Sequence, residues 1–183
     1  MIVVADTSPL NYLILIGHID VLEAIYGEVV IPPAVQDEML DPLAPPSVRS
    51  WIKNPPHWLE VRTPAHINIP LDPDLDAGER EAIALAHNSG EKGLLLIDER
   101  IGRKEATRLG LKVTGTLGVL EEADKRGLLH IARRFNFCEL PHSKSPIQSS
   151  SSLSTSLSAW FIKYGEHGLE RNRASFFCCR HSV

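Results

Sequence analysis

Short apolar runs alternate along this chain with segments of helical pattern. The clearest run is Leu94–Ile97, and Asp98 follows it at once. A short apolar run bounded by turn-forming residues is typical of a strand buried on both faces of a parallel sheet. The pattern therefore predicts an α/β protein with a central parallel sheet, whose strands come from "IVVAD" (2–6), "EVVIP" (28–32), "GLLLID" (93–98) and "LKVTG" (111–115).

The first predicted helix is marked at both ends. In "SPLNYLILIG" (8–17), Ser8 is the predicted N-cap, Pro9 occupies the first helical position, and Gly17 ends the helix. Further helices are predicted over 19–27, 33–40, 76–90, 99–110 and 116–127. The proline-rich stretch 41–75 is predicted to be mostly loop, with short helical or strand pieces near "SVRSWI" and "WLEVR".

The chain divides by composition near residue 140. Its 183 residues suffice for one well-buried domain, predicted over 1–140. Residues 141–183 form a tail in which nine of the sixteen residues from 143 to 158 are serine, and so low-complexity a segment is predicted to be disordered. The tail is either a genuine extension or the product of a shifted reading frame.

Charge and hydropathy limit the functional classes. The net charge of −4 argues against a broad basic surface for nucleic acid, so any such contact must be local or assisted by metal ions. No apolar run reaches the ~20 residues that a membrane span needs, and the N-terminus lacks a basic leader. The three cysteines follow no disulfide or metal-finger spacing. We therefore expect a soluble, cytoplasmic protein.

Four carboxylates are candidates for one site. Asp6 and Asp98 each follow a predicted strand, and ligands of open α/β sheets bind beyond the carboxyl ends of the strands. At about 100° per helical residue, Glu38 lies about 60° from Val35 and Glu79 about 40° from Ile83, so both acids border the buried stripe of their helices. Each acid taken singly also has an ordinary interpretation, as a cap or a surface charge.

Clustered acids raise one another's pKa values and are tolerated chiefly when a cation lies among them. Oxygen ligands of this kind select Mg²⁺ or Mn²⁺. A cation so held can lower the pKa of a bound water and offset negative charge on a substrate.

The motifs "ADTSPL", "VIPPAVQDE", "LDAGEREAIALA", "LLIDERIGRKEA" and "LGLKVTGTLGVLEEADKRGLL" resemble the PIN domain, in the small prokaryotic branch similar to VapC-type ribonuclease toxins. The resemblance runs from residue 1 to about residue 132. It implies a three-layer α/β/α fold with four or five parallel strands, and a metal-dependent endoribonuclease acting on RNA. Carried over by motif, the catalytic and metal-binding acids are Asp6, Glu38, Glu79 and Asp98. The resemblance also implies a small antitoxin protein as partner and leaves open whether the protein forms a homodimer.

Other polar residues surround these acids. Thr7, Ser8 and Asn11 are candidates for orienting Asp6 or a bound water, although Ser8 serves equally well as a helix cap. Arg100 and Arg103 are candidates for binding substrate phosphates.

A non-catalytic PIN-like module that binds nucleic acid or protein is the alternative function. A haloacid-dehalogenase-type enzyme is disfavoured because Ser8 stands where a second aspartate is needed, and a receiver domain because paired early acids are missing.

Overall fold

Five strands and seven helices alternate in the computed structural model, which describes residues 1–66, 69–90 and 93–129. The strands are β1 (Ile2–Ala5), β2 (Val29–Ile31), β3 (Leu59–Val61), β4 (Gly93–Leu96) and β5 (Lys112–Thr114). The helices are α1 (Thr7–Leu15), α2 (Val21–Tyr26), α3 (Pro33–Leu40), α4 (Pro46–Lys53), α5 (Ala77–Asn88), α6 (Arg100–Arg108) and α7 (Thr116–Lys125).

The strands form one sheet in the order β3-β2-β1-β4-β5, and every neighbouring pair is parallel. The prediction of a three-layer α/β/α fold with a central parallel sheet is confirmed, with five strands in the described part of the chain. Strand β1 occupies the centre, and its register with β4 pairs Ala5 with Leu96. The residues that follow β1 and β4 therefore emerge at the same edge of the sheet.

The central strands are buried because helices cover both faces of a parallel sheet. Val4 in β1 and Leu95 in β4 are fully buried and pack in one apolar cluster with Ile83 of α5 and Ala106 of α6. The edge strands β3 and β5 have exposed and half-buried positions instead. This difference in burial between central and edge strands explains why the uninterrupted apolar runs of the sequence form the middle of the sheet.

The start of α1 differs from the sequence prediction. The helix begins at Thr7, and Asp6 holds the N-cap position with extended backbone angles. The prediction of Ser8 as N-cap is therefore wrong. Pro9 is the third residue of the helix, two positions further in than predicted, and it is tolerated because the backbone N–H groups of a first helical turn have no partner within the helix. The predicted helix ends at Gly17 and Gly27 are confirmed, with φ angles of 72° and 79° that favour glycine.

The prediction for the proline-rich stretch is confirmed: α4 forms over "SVRSWI", with Pro46 at its first position, and β3 forms within "WLEVR", and the other described residues of 41–75 lie outside helices and strands. No helix of the described residues is long and apolar enough to cross a membrane. The predictions for residues 141–183, including the disordered tail, lie outside the described residues.

Candidate active site

Asp6 lies at the point where the central strand β1 passes into α1. Its backbone N–H donates a 2.9 Å hydrogen bond to the carbonyl of Leu96, which continues the pairing of β1 with β4. Only 3% of the residue is exposed. Burial raises the pKa of the Asp6 carboxyl from 3.8 to about 8, and the backbone N–H of Thr7 offsets part of this effect.

The negative charges of neighbouring carboxylates also contribute to this raised pKa of Asp6. These charges belong to Asp76, Glu79 and Glu38, in descending order of effect. None of these four carboxylates forms an ion pair with a lysine or an arginine among the described residues. The structure thus brings Asp6, Glu38 and Glu79 into one group of carboxylates, and it adds Asp76 to them.

Glu79 points into the protein, as its helix phase predicted. It is 5% exposed, and its Oε2 atom accepts a 3.1 Å hydrogen bond from the backbone N–H of Asp76. The Oε1 atom is buried and has no hydrogen-bond partner. Burial raises the pKa of Glu79, and so do the charges of Asp76, Glu99 and Glu38. A buried carboxylate oxygen without a partner is costly unless a ligand satisfies it.

Helix α6 approaches Glu79 closely because Gly102 has no side chain. A Cβ atom at Gly102 would lie 2.7 Å from Oε1 of Glu79 and would overlap the side chain of Ile97. Gly102 itself is buried. The Oε1 atom of Glu79 therefore lies against the first turn of α6, close to the side chain of Ile97, which follows β4.

Glu38 lies in the last turn of α3, where its side chain is largely exposed. Its Oε2 atom accepts a 2.6 Å hydrogen bond from the hydroxyl group of Thr7. The same atom lies 3.2 Å from the position that a Cβ atom at Gly78 would occupy, and Oδ1 of Asp76 lies 3.4 Å from that position. Glu38 and Asp76 therefore converge above Gly78, at the contact between α3 and α5.

Asp98 emerges at the same edge of the sheet as Asp6, and its carboxylate is bound by the start of α7. Oδ1 accepts a 2.9 Å hydrogen bond from the backbone N–H of Thr116, and Oδ2 accepts one from the Thr116 hydroxyl. Thr116 begins α7 directly after β5, whereas Asp6 follows β1. The start of α7 therefore fixes the direction of the Asp98 carboxylate.

The two predicted phosphate-binding arginines differ in their surroundings. Arg100 is exposed at the first position of α6. Arg103 is half-buried, and its Nη1 atom donates a 2.9 Å hydrogen bond to the carbonyl of Ile97. That nitrogen also lies 2.9 Å from the Cβ position of Gly115, next to Oδ1 of Asp98. Arg103 thus supports the chain that carries Asp98, and Arg100 is the arginine open to a substrate.

The residues predicted to orient Asp6 contact other groups. Thr7 binds Glu38, and Ser8 donates a 2.9 Å hydrogen bond to Oε1 of Glu99. Asn11 has a buried Oδ1 atom without a partner. Two acids of this region were missed by the sequence reasoning, namely Asp76 and Glu99. For Asp76 the sequence does carry a signal, since an acid three residues before a glutamate at a helix start is a capping-box pattern.

The donor set suits a divalent cation, but the present side-chain positions do not yet enclose one. Buried oxygens of Asp6 and Glu79 lie among further carboxylates, and one of those oxygens lacks any partner. Mg²⁺ and Mn²⁺ favour such ligands. Within the described ranges, no three His, Cys, Asp or Glu side chains lie close enough together to hold an ion.

A five-stranded parallel sheet covered by helices, with carboxylates after its central strands, defines a three-layer α/β/α protein with an acidic site. The chain belongs to the PIN domain family, because the DUF3368 family model, a PIN domain, matches residues 2–136. PIN domains are generally nucleases and typically use divalent metals. No curated protein and no solved structure gives a significant match to the chain.

Proposed function

We propose that this protein is a divalent-metal-dependent endoribonuclease in which Asp6, Glu38, Glu79 and Asp98 hold Mg²⁺ or Mn²⁺. The proposal depends above all on Glu79, whose Oε1 atom is buried without a partner and whose pKa is raised by burial and by the charges of neighbouring acids. Such an arrangement is costly in the metal-free protein and becomes favourable when a cation enters.

A bound divalent cation would lower the pKa of a water and offset charge on the phosphodiester, so that a bond from the water oxygen to phosphorus forms as the bond to the leaving oxygen breaks. Asp6 and Glu79 are the anchoring ligands because burial fixes them. Glu38 reaches the site from α3, steadied by Thr7. Asp98, held by Thr116, would be a further ligand, and exposed Arg100 would bind a substrate phosphate.

Cleavage of single-stranded RNA by the purified full-length protein, with Mn²⁺ or with EDTA, tests the proposal. We expect cleavage with Mn²⁺ only, and its loss in Asp6→Asn, Glu79→Gln and Asp98→Asn. Asp37→Asn, at an exposed position of α3, is the matched control and should cleave normally. Asn or Gln variants that cleave as the wild type does would contradict the assignment of the acids. A wild-type protein that binds RNA without cutting it would instead identify a non-catalytic module.

We further propose that the protein is the toxin of a toxin–antitoxin pair. The support is the motif resemblance to VapC-type toxins, together with the harm that an unregulated ribonuclease would do in the cytoplasm. Expression of the protein alone should arrest growth of the host cell, and the Asp6→Asn variant should not. A small protein should co-purify from the native cell. Recovery of the fully active protein with nothing bound would contradict this part of the proposal.

A further inference from the structure

Positive charge in the first 129 residues is concentrated in one segment, residues 100–112. Five of the twelve lysines and arginines of residues 1–129 lie there, together with a single acid, Glu105. Four of the five belong to α6, which begins two residues after Asp98. The same 129 residues contain twenty Asp and Glu residues. Helix α6 is therefore a basic element in an acidic domain.

Two exposed basic residues of α6 lie on the side of the helix that faces away from the acids. Gly102 is buried and faces Glu79, since a Cβ atom there would lie 2.7 Å from Oε1 of that residue. At about 100° per residue, Arg100 and Lys104 each point about 160° away from Gly102 and only about 40° from each other. Both residues are exposed. They are one helical turn apart, about 6 Å along the axis, and together they form the basic face of α6.

The charges of the basic face are unfavourable for the helix itself. The first turn of α6 contains no acid, so Arg100 places positive charge at the end where the helix dipole is also positive. Arg100 and Lys104 form a like-charged pair four residues apart, and so do Lys104 and Arg108, which destabilises a helix. Arg108 is compensated by Glu105 at 2.7 Å. Neither Arg100 nor Lys104 forms an ion pair with any described residue, so a bound anion would relieve both costs.

The geometry points to the basic face of α6 as the surface along which a single-stranded RNA runs as it leaves the acidic site. This inference rests on the proposed function. Arg100 follows Asp98 by two residues, so a strand with one phosphate at the acids meets Arg100 first and Lys104 one turn later. That separation is comparable to the distance between neighbouring phosphates of an extended strand, and a single row of charges suits a single backbone.

Contacts of this kind are made to phosphates, so they give affinity that depends on salt and not on base sequence. They also resolve the conflict between an acidic domain and an anionic substrate. The strand is attracted locally, by a helix that begins beside the site, while the other surfaces of the domain repel it. Lys104 is the residue that this path adds to Arg100.

Substitution of Lys104 in the full-length protein tests the path. Binding of a fluorescein-labelled single-stranded RNA is measured by fluorescence anisotropy at several salt concentrations, in EDTA so that the proposed cleavage cannot occur. We expect Lys104→Gln to bind about two- to fivefold more weakly, with a slope of log affinity against log salt that is shallower by about 0.7. Lys104→Arg keeps the charge and should match the wild type. Lys125→Gln, at an exposed position of α7, is the matched control and should also match it.

The outcomes separate this inference from the proposed function. An unchanged salt slope in Lys104→Gln would overturn the path and point instead to an acidic protein as the occupant of the basic face. An equal loss in Lys125→Gln would overturn it as well, because binding would then follow total charge. So would a loss in Lys104→Arg, since the path requires only a positive charge. Failure of the wild type to bind RNA in EDTA would overturn the inference alone, because Mn²⁺-dependent cleavage decides the proposed function.

Discussion

The hydroxyl group of Thr7 donates a 2.6 Å hydrogen bond to Oε2 of Glu38, although 31 residues separate the two in sequence. Thr7 is buried in the first turn of α1, next to Asp6, whereas Glu38 is largely exposed in the last turn of α3. The bond therefore holds the exposed carboxylate of Glu38 against the residue next to the buried Asp6. The same bond joins α1 to α3 beside Asp6.

Thr7→Val should weaken the site because valine has nearly the same shape but no hydroxyl group. We expect a loss of about 0.5–1.5 kcal/mol in the free energy of unfolding and a several-fold weaker affinity for Mn²⁺. Thr7→Ser, which keeps the hydroxyl, should retain most of both. Urea denaturation and metal titration measure the two effects. Equal Mn²⁺ affinity in Thr7→Val and the wild type would show that this bond does not position Glu38 for binding.

The stability of the metal-free protein should fall as the pH rises from about 4 to about 8. Asp6 keeps its proton in the folded state up to a pKa of about 8, but loses it near 3.8 when unfolded. Between these values the folded state binds more protons, so the free energy of unfolding falls by up to about 1.4 kcal/mol per pH unit. Asp6→Asn should remove most of this slope and be the more stable protein at pH 8.

Urea denaturation in EDTA at several pH values measures this effect. Asp37→Asn serves again as the control and should keep the wild-type slope. Added Mn²⁺ should stabilise the wild type at pH 8 and Asp6→Asn far less, because a cation favours the charged carboxylate. An identical slope in Asp6→Asn and the wild type would disprove that Asp6 is the titrating group.

Gly115→Ala should disturb the support of Asp98. A Cβ atom there would overlap Oδ1 of Asp98 and lie 2.9 Å from Nη1 of Arg103. We expect a loss of roughly 1–3 kcal/mol in stability and greatly reduced RNA cleavage. Gly127→Ala is the comparison, because its positive φ angle of 70° also costs stability while the space around it is open. Equal RNA cleavage by Gly115→Ala and Gly127→Ala would show that Asp98 takes no part in the reaction.

A chain that ends at residue 140 should fold and keep its affinity for Mn²⁺. The acids of the proposed site all lie between residues 6 and 98, and the family match ends at residue 136. The serine-rich composition of 143–158 offers little apolar surface to offset an ordering cost of about 1–2 kcal/mol per residue. Circular dichroism and metal titration of the truncated protein test this. An unfolded product would move the predicted domain boundary beyond residue 140.

Local patterns in the sequence determined much of this protein. The sequence identified four of the five strands, and the uninterrupted apolar runs belong to the buried strands β1, β2 and β4, because only strands covered on both faces dispense with polar alternation. Helix phase predicted that Glu79 points inward, because 3.6 residues per turn fix the direction of each side chain within its helix. The fifth strand, β3, was only suggested by "WLEVR", since an exposed edge strand leaves a weaker pattern.

Only the tertiary structure decided which acids meet. Asp76 joins Asp6 because α5 packs against α3 and β1, and Asp98 turns to Thr116 because α7 begins beside the end of β4. The sequence predicted one pocket for Asp6, Glu38, Glu79 and Asp98, but it could not foresee that Asp76 would lie near Asp6 or that Thr116 would bind Asp98. Periodicity describes a side chain relative to its own helix or strand. The distance between two carboxylates depends instead on how separate elements pack, and that is set jointly by the whole core.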